Sequence, residues 1–384
     1  MTAKEAVRRS IESSAPALVA LSRRIHAEPE LGLEEEKAST WVAEALDAAG
    51  FRVQRGVYGL PTAVCARAGS GPLHVAICAE YDALPGIGHA CGHNLIAASS
   101  VGAAVALREV ADDLGLTITV LGTPAEETVG GKIPMLEQGA FAGVHAAMMV
   151  HPAPWDAVAP SILAAQTFEV RYTGREAHAA GFPELGINAA DALVVAQTAI
   201  GLLRQHLRTT DRVHGIVTKG GDAPNVIPAH TAATYMVRAT TVEELADVEP
   251  KVRRCFEAGA IATGATLEIV RRPTPYAEMR HDAALAGLWT AAMADLGRTM
   301  ATGNDVLRAA GSTDMGNVSL AVPSIHPMIG IDSLPAVNHQ PEFTAHCVSP
   351  AAERALVEGA IGLAWTVVGL AADASIRERL VGRV

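Results

Sequence analysis

Apolar residues in the first third of the chain recur in two patterns, one with the period of a helix and one forming the continuous runs of buried strands. Gly50 closes the second helical stretch, and a turn of Gly69-Ser70-Gly71-Pro72 separates two strands. Asn94 is the predicted N-cap of a long helix of small residues. This alternation of helix and strand indicates an α/β sheet. The predicted helices cover 16–26, 34–49, 94–109 and 133–138, and the predicted strands cover 53–55, 62–66, 73–79, 116–122 and 144–150.

The pattern changes at about Leu163 to strand, helix, two strands, helix and strand. That order is typical of a ferredoxin-like α+β domain. After about Pro275 the earlier helix and strand patterns return, with helices predicted near 282–296 and 350–370. We therefore predict a catalytic domain over 1–162 and 275–384, split by an inserted domain over 163–274. The elements predicted for the insertion are strands 167–173, 215–219, 231–239 and 266–270 and helices 188–203 and 242–257.

Composition narrows the class of protein. Of 384 residues, 49% are hydrophobic and 18% are charged, which is typical of a globular chain with a large core. The net charge of -11 removes the electrostatic attraction on which nucleic-acid binding depends. The five cysteines form no C-x-x-C pair, and neither a signal peptide nor a membrane-spanning run is evident. We expect a soluble cytoplasmic protein with no nucleic-acid or membrane partner.

The first candidate for chemistry leaves the strand 73–79 and enters the helix through a glycine-rich turn that contains Cys91-Gly92-His93. A thiolate and an imidazole two residues apart can face one ion, and both suit zinc and its neighbours. A lone C-x-H is more often an ordinary turn, so this triplet alone leaves both interpretations open.

The second candidate is the pair Glu126-Glu127, which follows the apolar strand 116–122. Adjacent carboxylates near buried structure repel each other unless a cation or a shared proton relieves them. A pair of ordinary surface acids is the alternative. His151 follows another apolar strand, and His339 follows the apolar segment 322–331. Either histidine alone would more often be structural, but together the four segments place a ligand set for two metal ions at one sheet edge.

Three further loops could contact a substrate. Gly311-Ser312-Thr313 belongs to a turn whose backbone N–H groups could bind a carboxylate. In the insertion, His178, Asn225 and Arg238 lie in or beside loops that follow strands. An ordinary glycine-rich loop, local backbone hydrogen bonding and a surface arginine are the corresponding alternatives.

Taken in order and spacing, these residues resemble the amidohydrolase branch of the aminoacylase and carboxypeptidase G family of co-catalytic metallopeptidases. The branch includes auxin-conjugate hydrolases, aminobenzoyl-glutamate hydrolase and β-alanyl-lysine dipeptidase-like proteins. The resemblance covers nearly the whole chain. It begins at Arg24-Ile25-His26 and runs through the motifs described above to His339.

The resemblance implies an α/β fold, with a mixed-sheet metallopeptidase catalytic domain and an inserted ferredoxin-like dimerisation (lid) domain. It implies two divalent ions per subunit, Zn or Mn, with Co or Ni as alternatives. It also implies a homodimer, in which His178 reaches the partner's active site. The implied ligands are Cys91, His93, Glu127, His151 and His339, the implied base is Glu126, and the implied substrate contacts are Asn225, Arg238, Gly311 and Ser312.

This sequence differs from the usual pattern of the branch at two places, and these differences bear on the substrate class more than on the reaction. Asn94 stands where Asp usually follows Cys-Gly-His, and Glu80-Tyr81-Asp82 replaces Asp-Met-Asp. We therefore expect a hydrolase of N-acyl amino acids or small aminoacyl conjugates, with a dipeptidase or an aminobenzoyl-glutamate hydrolase as alternatives. A metal-binding protein without catalysis is disfavoured because metal storage needs no base. A dinucleotide-binding dehydrogenase is excluded because the Gly86–Cys91 stretch lacks the third glycine of that fingerprint.

Overall fold

The structure is a computed structural model that describes residues 1–303 and 311–383. The chain divides into two compact units, and the second is inserted into the first. Unit 1 consists of Met1–Ser161 and Met279–Val384, and unit 2 consists of Ile162–Glu278. Unit 2 thus begins one residue before the predicted insertion and ends four residues after it.

The strands of both units are numbered here along the chain. They are β1 Arg52–Arg55, β2 Val64–Gly69, β3 Leu73–Ala79, β4 Leu116–Gly122, β5 Ala146–Met148, β6 His151–Ala153, β7 Ala164–Thr173, β8 Arg212–Lys219, β9 His230–Ala239, β10 Thr266–Arg271, β11 Ser324–Ile325 and β12 Met328–Gly330.

The helices of the described residues, in the same numbering scheme, are α1 Ala3–Ala27, α2 Glu36–Ala48, α3 His93–Arg108, α4 Ala111–Leu114, α5 Lys132–Glu137, α6 Ala189–Leu203, α7 Val242–Thr263, α8 Ala283–Asp295, α9 Met315–Ala321, α10 Pro341–His346, α11 Pro350–Ala372 and α12 Ala374–Val381.

Unit 1 is built on a six-stranded sheet in the order β1-β2-β4-β3-β5-β11. Strands β4, β3, β5 and β11 are parallel, whereas β1 and β2 pair antiparallel at one side. The predicted mixed sheet is therefore confirmed. Every residue of β3 is buried, and all but His74 are apolar, as is typical of a parallel strand that has helices on both faces.

Helix α1 is longer than predicted. The sequence pattern starts it at Pro16, but the helix begins at Ala3, where Thr2 and Glu5 form a capping box. Pro16 lacks an N–H and so costs one helical hydrogen bond, yet the helix continues through it. Val7, Ile11 and Leu18 are buried at helical spacing, and the free energy gained by burying this apolar face outweighs the lost hydrogen bond.

The predicted N-cap of α3 is wrong. Gly92 occupies that position with a left-handed backbone, and Asn94 lies inside the first turn. The Asn94 side chain is fully buried and donates from Nδ2 to Ser22 Oγ at 2.8 Å and to the Cys347 carbonyl at 3.1 Å. Asn94 therefore connects α3 to neighbouring segments of unit 1.

Helix α11 crosses the core of unit 1. Its 23 residues are long and apolar enough to span a membrane by length and composition, but 78% of its most apolar window is buried inside the fold. It lies among the apolar side chains of α1, α3 and α8, for example Ile11, Val101 and Trp289. That packing identifies α11 as a core helix.

Unit 2 has a four-stranded antiparallel sheet in the order β10-β7-β9-β8, with α6 and α7 on one face. The order of its elements and strands is that of a ferredoxin-like α+β domain. Alternate residues of β9 are buried, such as Ala233, Tyr235 and Val237. These pack against the helices, while the intervening residues lie on the other face of the sheet.

Candidate metal centre

The predicted site lies where parallel strands of the unit 1 sheet end. Ala79 at the end of β3 is level with Gly122 at the end of β4, and β5 runs parallel to β3 on the other side. Glu80 follows β3 at once, Glu127 follows β4 by five residues, and His151 follows β5 by three. Carboxyl ends of parallel strands form a common edge, and ligand-binding loops collect there.

The turn between β3 and α3 depends on Gly92. Its φ of 80° is left-handed, and a Cβ there would lie 2.8 Å from Pro152 Cγ. This tight turn brings Cys91 Sγ to 3.4 Å from His151 Nε2 and 3.5 Å from His339 Nε2.

His339 reaches the same place from the C-terminal part of the chain. Its φ of 69° is unusual for a side-chain-bearing residue, and its backbone N–H donates to the Ala90 carbonyl at 2.9 Å. Its Nε2 lies 3.3 Å from Glu127 Oε1. The chain therefore adopts an unfavourable backbone angle in order to place this imidazole beside the Glu127 carboxylate.

The structure brings all five predicted ligands and Glu126 together. In each of three groups, the potential ligand atoms lie within 4.8 Å of one another. One group joins Cys91 to His93 and His151, another joins Cys91 to Glu127 and His339, and a third joins Glu126 to His93 and Glu127. Cys91 thus belongs to two of the groups that could each hold an ion.

Several buried atoms of this cluster have no hydrogen-bond partner among the described residues, including His93 Nε2, Glu127 Oε1 and Glu80 Oε2. Leaving such atoms unsatisfied is costly, so their convergence fits a site for cations. The imidazoles are also suitably oriented. His151 Nδ1 donates to the Pro152 carbonyl at 2.8 Å, which leaves Nε2 facing Cys91 as a lone-pair donor.

The electrostatics of the cluster are those of a crowded acidic site. Burial and the neighbouring Glu127 raise the pKa of Glu126 well above its usual value. Burial lowers the pKa of His151 to about 4, so that its ring is neutral near pH 7. Burial and Glu127 raise the pKa of the Cys91 thiol, so a metal ion must displace the thiol proton in order to bind it.

Sequence reasoning did not assign a role to four further residues at this edge. Asp82 accepts from His93 Nδ1 at 3.0 Å and from the Glu127 backbone N–H at 3.0 Å. Glu80, Lys132 and Asp314 form a buried ion-pair network beside Glu126. Glu80 and Asp82 come just after the buried strand β3, where ligand-binding loops begin, and this position is a sequence signal that could have identified them.

The predicted substrate contacts fall into separate places. Gly311 and Ser312 come just before Asp314, whose carboxylate lies within 4.8 Å of that of Glu126. In unit 2, His178 and Asn225 are neighbours, since the Ala179 N–H donates to the Asn225 carbonyl at 3.0 Å. Arg238 is not near them. It pairs with Ala165 at the start of β7, whereas His178 follows the end of that strand.

The chain is similar to known proteins over most of its length. A profile of peptidase family M20/M25/M40 matches residues 76–358. A mouse Xaa-Arg dipeptidase is 40% identical over 376 residues, which cover 93% of this chain and 86% of that protein. A component of the p-aminobenzoyl-glutamate hydrolase of Escherichia coli is 32% identical over 67% of this chain and 58% of its own length.

Solved structures share the fold. A dinuclear metal-binding peptidase of the M20 family from Bacillus subtilis superposes with a TM-score of 0.65 at 24% identity, covering 91% of this chain and 98% of that one. An aminobenzoyl-glutamate utilization protein from Klebsiella pneumoniae gives a TM-score of 0.70 at 20% identity, covering 90% and 96%. The resemblance drawn from the motifs is confirmed: the chain is a hydrolase and belongs to peptidase family M20/M25/M40.

Proposed function

We propose that the chain is a di-metal dipeptidase or aminoacyl-conjugate hydrolase that uses Glu126 as its general base. The observation that carries the proposal is the pair of potential metal-ligand groups that share Cys91 and lie beside the buried Glu126. In this proposal Cys91, His93 and His151 would hold one ion, and Cys91, Glu127 and His339 would hold the other.

The donor set of one thiolate, three imidazoles and a carboxylate suits Zn or Mn, with Co and Ni as alternatives. When bound, two such ions would polarise the scissile carbonyl and lower the pKa of the attacking water.

Glu126 supplies the proton transfers. Its carboxyl group is buried and its pKa is raised, which brings it closer to the working pH and allows it both to accept and to donate a proton. In the proposed reaction Glu126 takes a proton from the attacking water and delivers it to the departing amide nitrogen. That delivery makes the amine a competent leaving group.

His178 is suited to stabilise the developing oxyanion. Its Nδ1 accepts from the backbone N–H groups of Ala180 and Gly181, at 3.2 and 3.0 Å. The proton of the neutral ring therefore lies on Nε2, and the side chain is exposed. An Nε2–H donor of this kind can hydrogen-bond an oxyanion as charge develops.

A homodimer is proposed to bring His178 to a second copy's active site. His178 and Asn225 lie at one end of the unit 2 sheet, whereas Arg238 lies about 25 Å away at the other end of β9, as the rise per strand residue dictates. One small substrate can contact both ends only if they come from two copies. Arg238 would then bind the substrate carboxylate, and Asn225 would act beside His178.

Unit 2 also has a surface suited to such a dimer. Strand β8 is at the edge of the sheet, and Ile216 and Val217 on it are 67% and 45% exposed. On α6, Val194 and Leu202 are exposed as well. An unpaired edge strand with apolar side chains is a template for pairing with a second strand.

The substrate class can be tested directly. The protein is loaded with Zn or Mn and incubated with three sets of compounds: dipeptides ending in Arg, Lys or neutral residues, N-acyl amino acids, and p-aminobenzoyl-glutamate. Products are quantified by mass spectrometry. The similarity to Xaa-Arg dipeptidases leads us to expect the fastest cleavage for dipeptides with a basic C-terminal residue. Cleavage of N-acyl amino acids alone would contradict the dipeptidase proposal.

A further inference from the structure

Lys132 is a lysine with no solvent exposure at the start of α5. Its ammonium contacts Glu80 Oε1 and donates to Asp314 Oδ1 at 2.7 Å. Its backbone N–H donates to the second oxygen of Asp314 at 2.8 Å. One residue thus connects the end of β3, the start of α5 and the turn before α9.

The network lies directly beside the proposed base. Carboxylate oxygens of Glu80, Glu126 and Asp314 lie within 4.8 Å of one another, and all three residues are buried. Three carboxylates at this spacing repel each other strongly in a medium of low dielectric constant. The Lys132 ammonium contacts two of them, Glu80 and Asp314.

The network also reaches the predicted ligands. The second oxygen of Glu80, Oε2, has no hydrogen-bond partner among the described residues and lies 3.4 Å from His93 Nε2. A buried ion pair by itself is weak evidence for anything beyond structure, since burial of charges is costly. This network, however, borders both the proposed base and the predicted ligand His93. A shift of the Glu80 or Asp314 carboxylate would therefore change the surroundings of the reacting groups.

We propose that Lys132 is a positioning residue for the hydrolytic reaction. It holds Glu80 and Asp314 as fixed carboxylates beside Glu126, and their placement determines the orientation in which Glu126 faces the attacking water. The inference rests on the proposed role of Glu126. It assigns Lys132 no contact with the substrate, so its loss should lower kcat and leave KM nearly unchanged.

The test compares Lys132→Met with Arg298→Met in the metal-loaded, full-length protein. Arg298 is a matched control, since it also lies between two carboxylates, Asp156 at 2.7 Å and Glu358 at 2.6 Å, outside the predicted metal centre. We expect Lys132→Met to lower kcat about tenfold or more with KM changed less than about threefold. Arg298→Met should lower the unfolding temperature while kcat stays near the wild-type value.

A triple variant separates positioning from simple charge compensation. Lys132→Met combined with Glu80→Gln and Asp314→Asn removes the cation together with both of its anionic partners, so no uncompensated buried charge remains. We expect the triple variant to fold and to keep a low kcat. Wild-type kcat in the triple variant, or in a folded Lys132→Met, would overturn the proposal.

These outcomes are distinct from a failure of the proposed function. If Glu126→Gln retained wild-type turnover, the base would be another group and the proposed mechanism would be wrong. If Glu126→Gln is inactive but Lys132→Met has wild-type kcat, only the positioning role is overturned.

Discussion

His93 and Asp82 are joined by a buried hydrogen bond of 3.0 Å between Nδ1 and Oδ1. Burial alone would lower the pKa of His93, but the Asp82 carboxylate raises it well above its usual value. Because a carboxylate accepts, the Nδ1 proton stays in place, and Nε2 is the atom that can bind an ion once the ion displaces its proton. The other oxygen of Asp82 holds the backbone of Glu127, so that one carboxylate orients two predicted ligands.

We therefore predict that Asp82→Ala weakens metal binding about 10- to 100-fold, as is usual for the loss of such an orienting group. Binding is measured by titration of the metal-free protein with Zn or Mn. Asp282→Ala serves as the control, because Asp282 caps α8 and pairs with Arg379 without touching the cluster. Equal metal affinity in Asp82→Ala and the wild type would contradict the orienting role.

Substitutions of the neighbouring residues Glu126 and Glu127 should differ in their effect on metal content. Glu126→Gln keeps the shape of the side chain but cannot take a proton, so we expect two ions per subunit and a loss of turnover of about 10²- to 10⁴-fold. Glu127→Gln replaces a predicted ligand, so we expect it to bind fewer ions. Metal content by elemental analysis, measured beside kcat, separates the two. A Glu126→Gln variant that loses its metal would make Glu126 a ligand instead of the base.

Mixing two inactive variants tests whether His178 acts across a dimer. Glu126→Gln lacks the proposed base and His178→Ala lacks the proposed oxyanion donor, but a mixed dimer would have one site with both. Random exchange makes half of the dimers mixed, with one of two sites complete, so activity should recover to about one quarter of the wild type. The variants are unfolded or dissociated together and then reassembled. Activity no higher than that of the separate variants would place both residues in one subunit's site.

Much of the site could be predicted because its ligands follow strands that sequence identifies well. Strands β3 and β4 match their predicted bounds, since a mostly apolar run of seven residues is typical of a central parallel strand. Lys132 could not be predicted in this way. Lysine at the start of a helix is ordinarily a surface residue, and its partners Glu80 and Asp314 are distant in sequence.

Local patterns mislead where tertiary contacts compete with them. Asn94 has the chemistry of an N-cap, but its amide is used to connect α3 to Ser22 and Cys347. Pro16 favours a helix start because proline suits the first turn, yet α1 continues through it. In both cases burial of a whole helix face outweighs a preference of about 1 to 3 kcal/mol at one residue.

The last prediction concerns acid stability and a histidine on β3. His74 is bonded to Thr119 Oγ1 at 2.7 Å and to the Gly143 carbonyl at 3.1 Å, and burial followed by the charge of Arg67 lowers its pKa from 6.5 to about 4. The unfolded chain therefore binds a proton here before the folded one does, so this contribution to stability is complete above pH 6.5 and is lost as the pH falls to 4. The loss is on the order of 3 kcal/mol. Urea unfolding of metal-free protein at about pH 7 and about pH 4.5 should show a large drop in stability, and His74→Gln should reduce that drop. A drop of equal size in His74→Gln would assign the acid sensitivity to other groups.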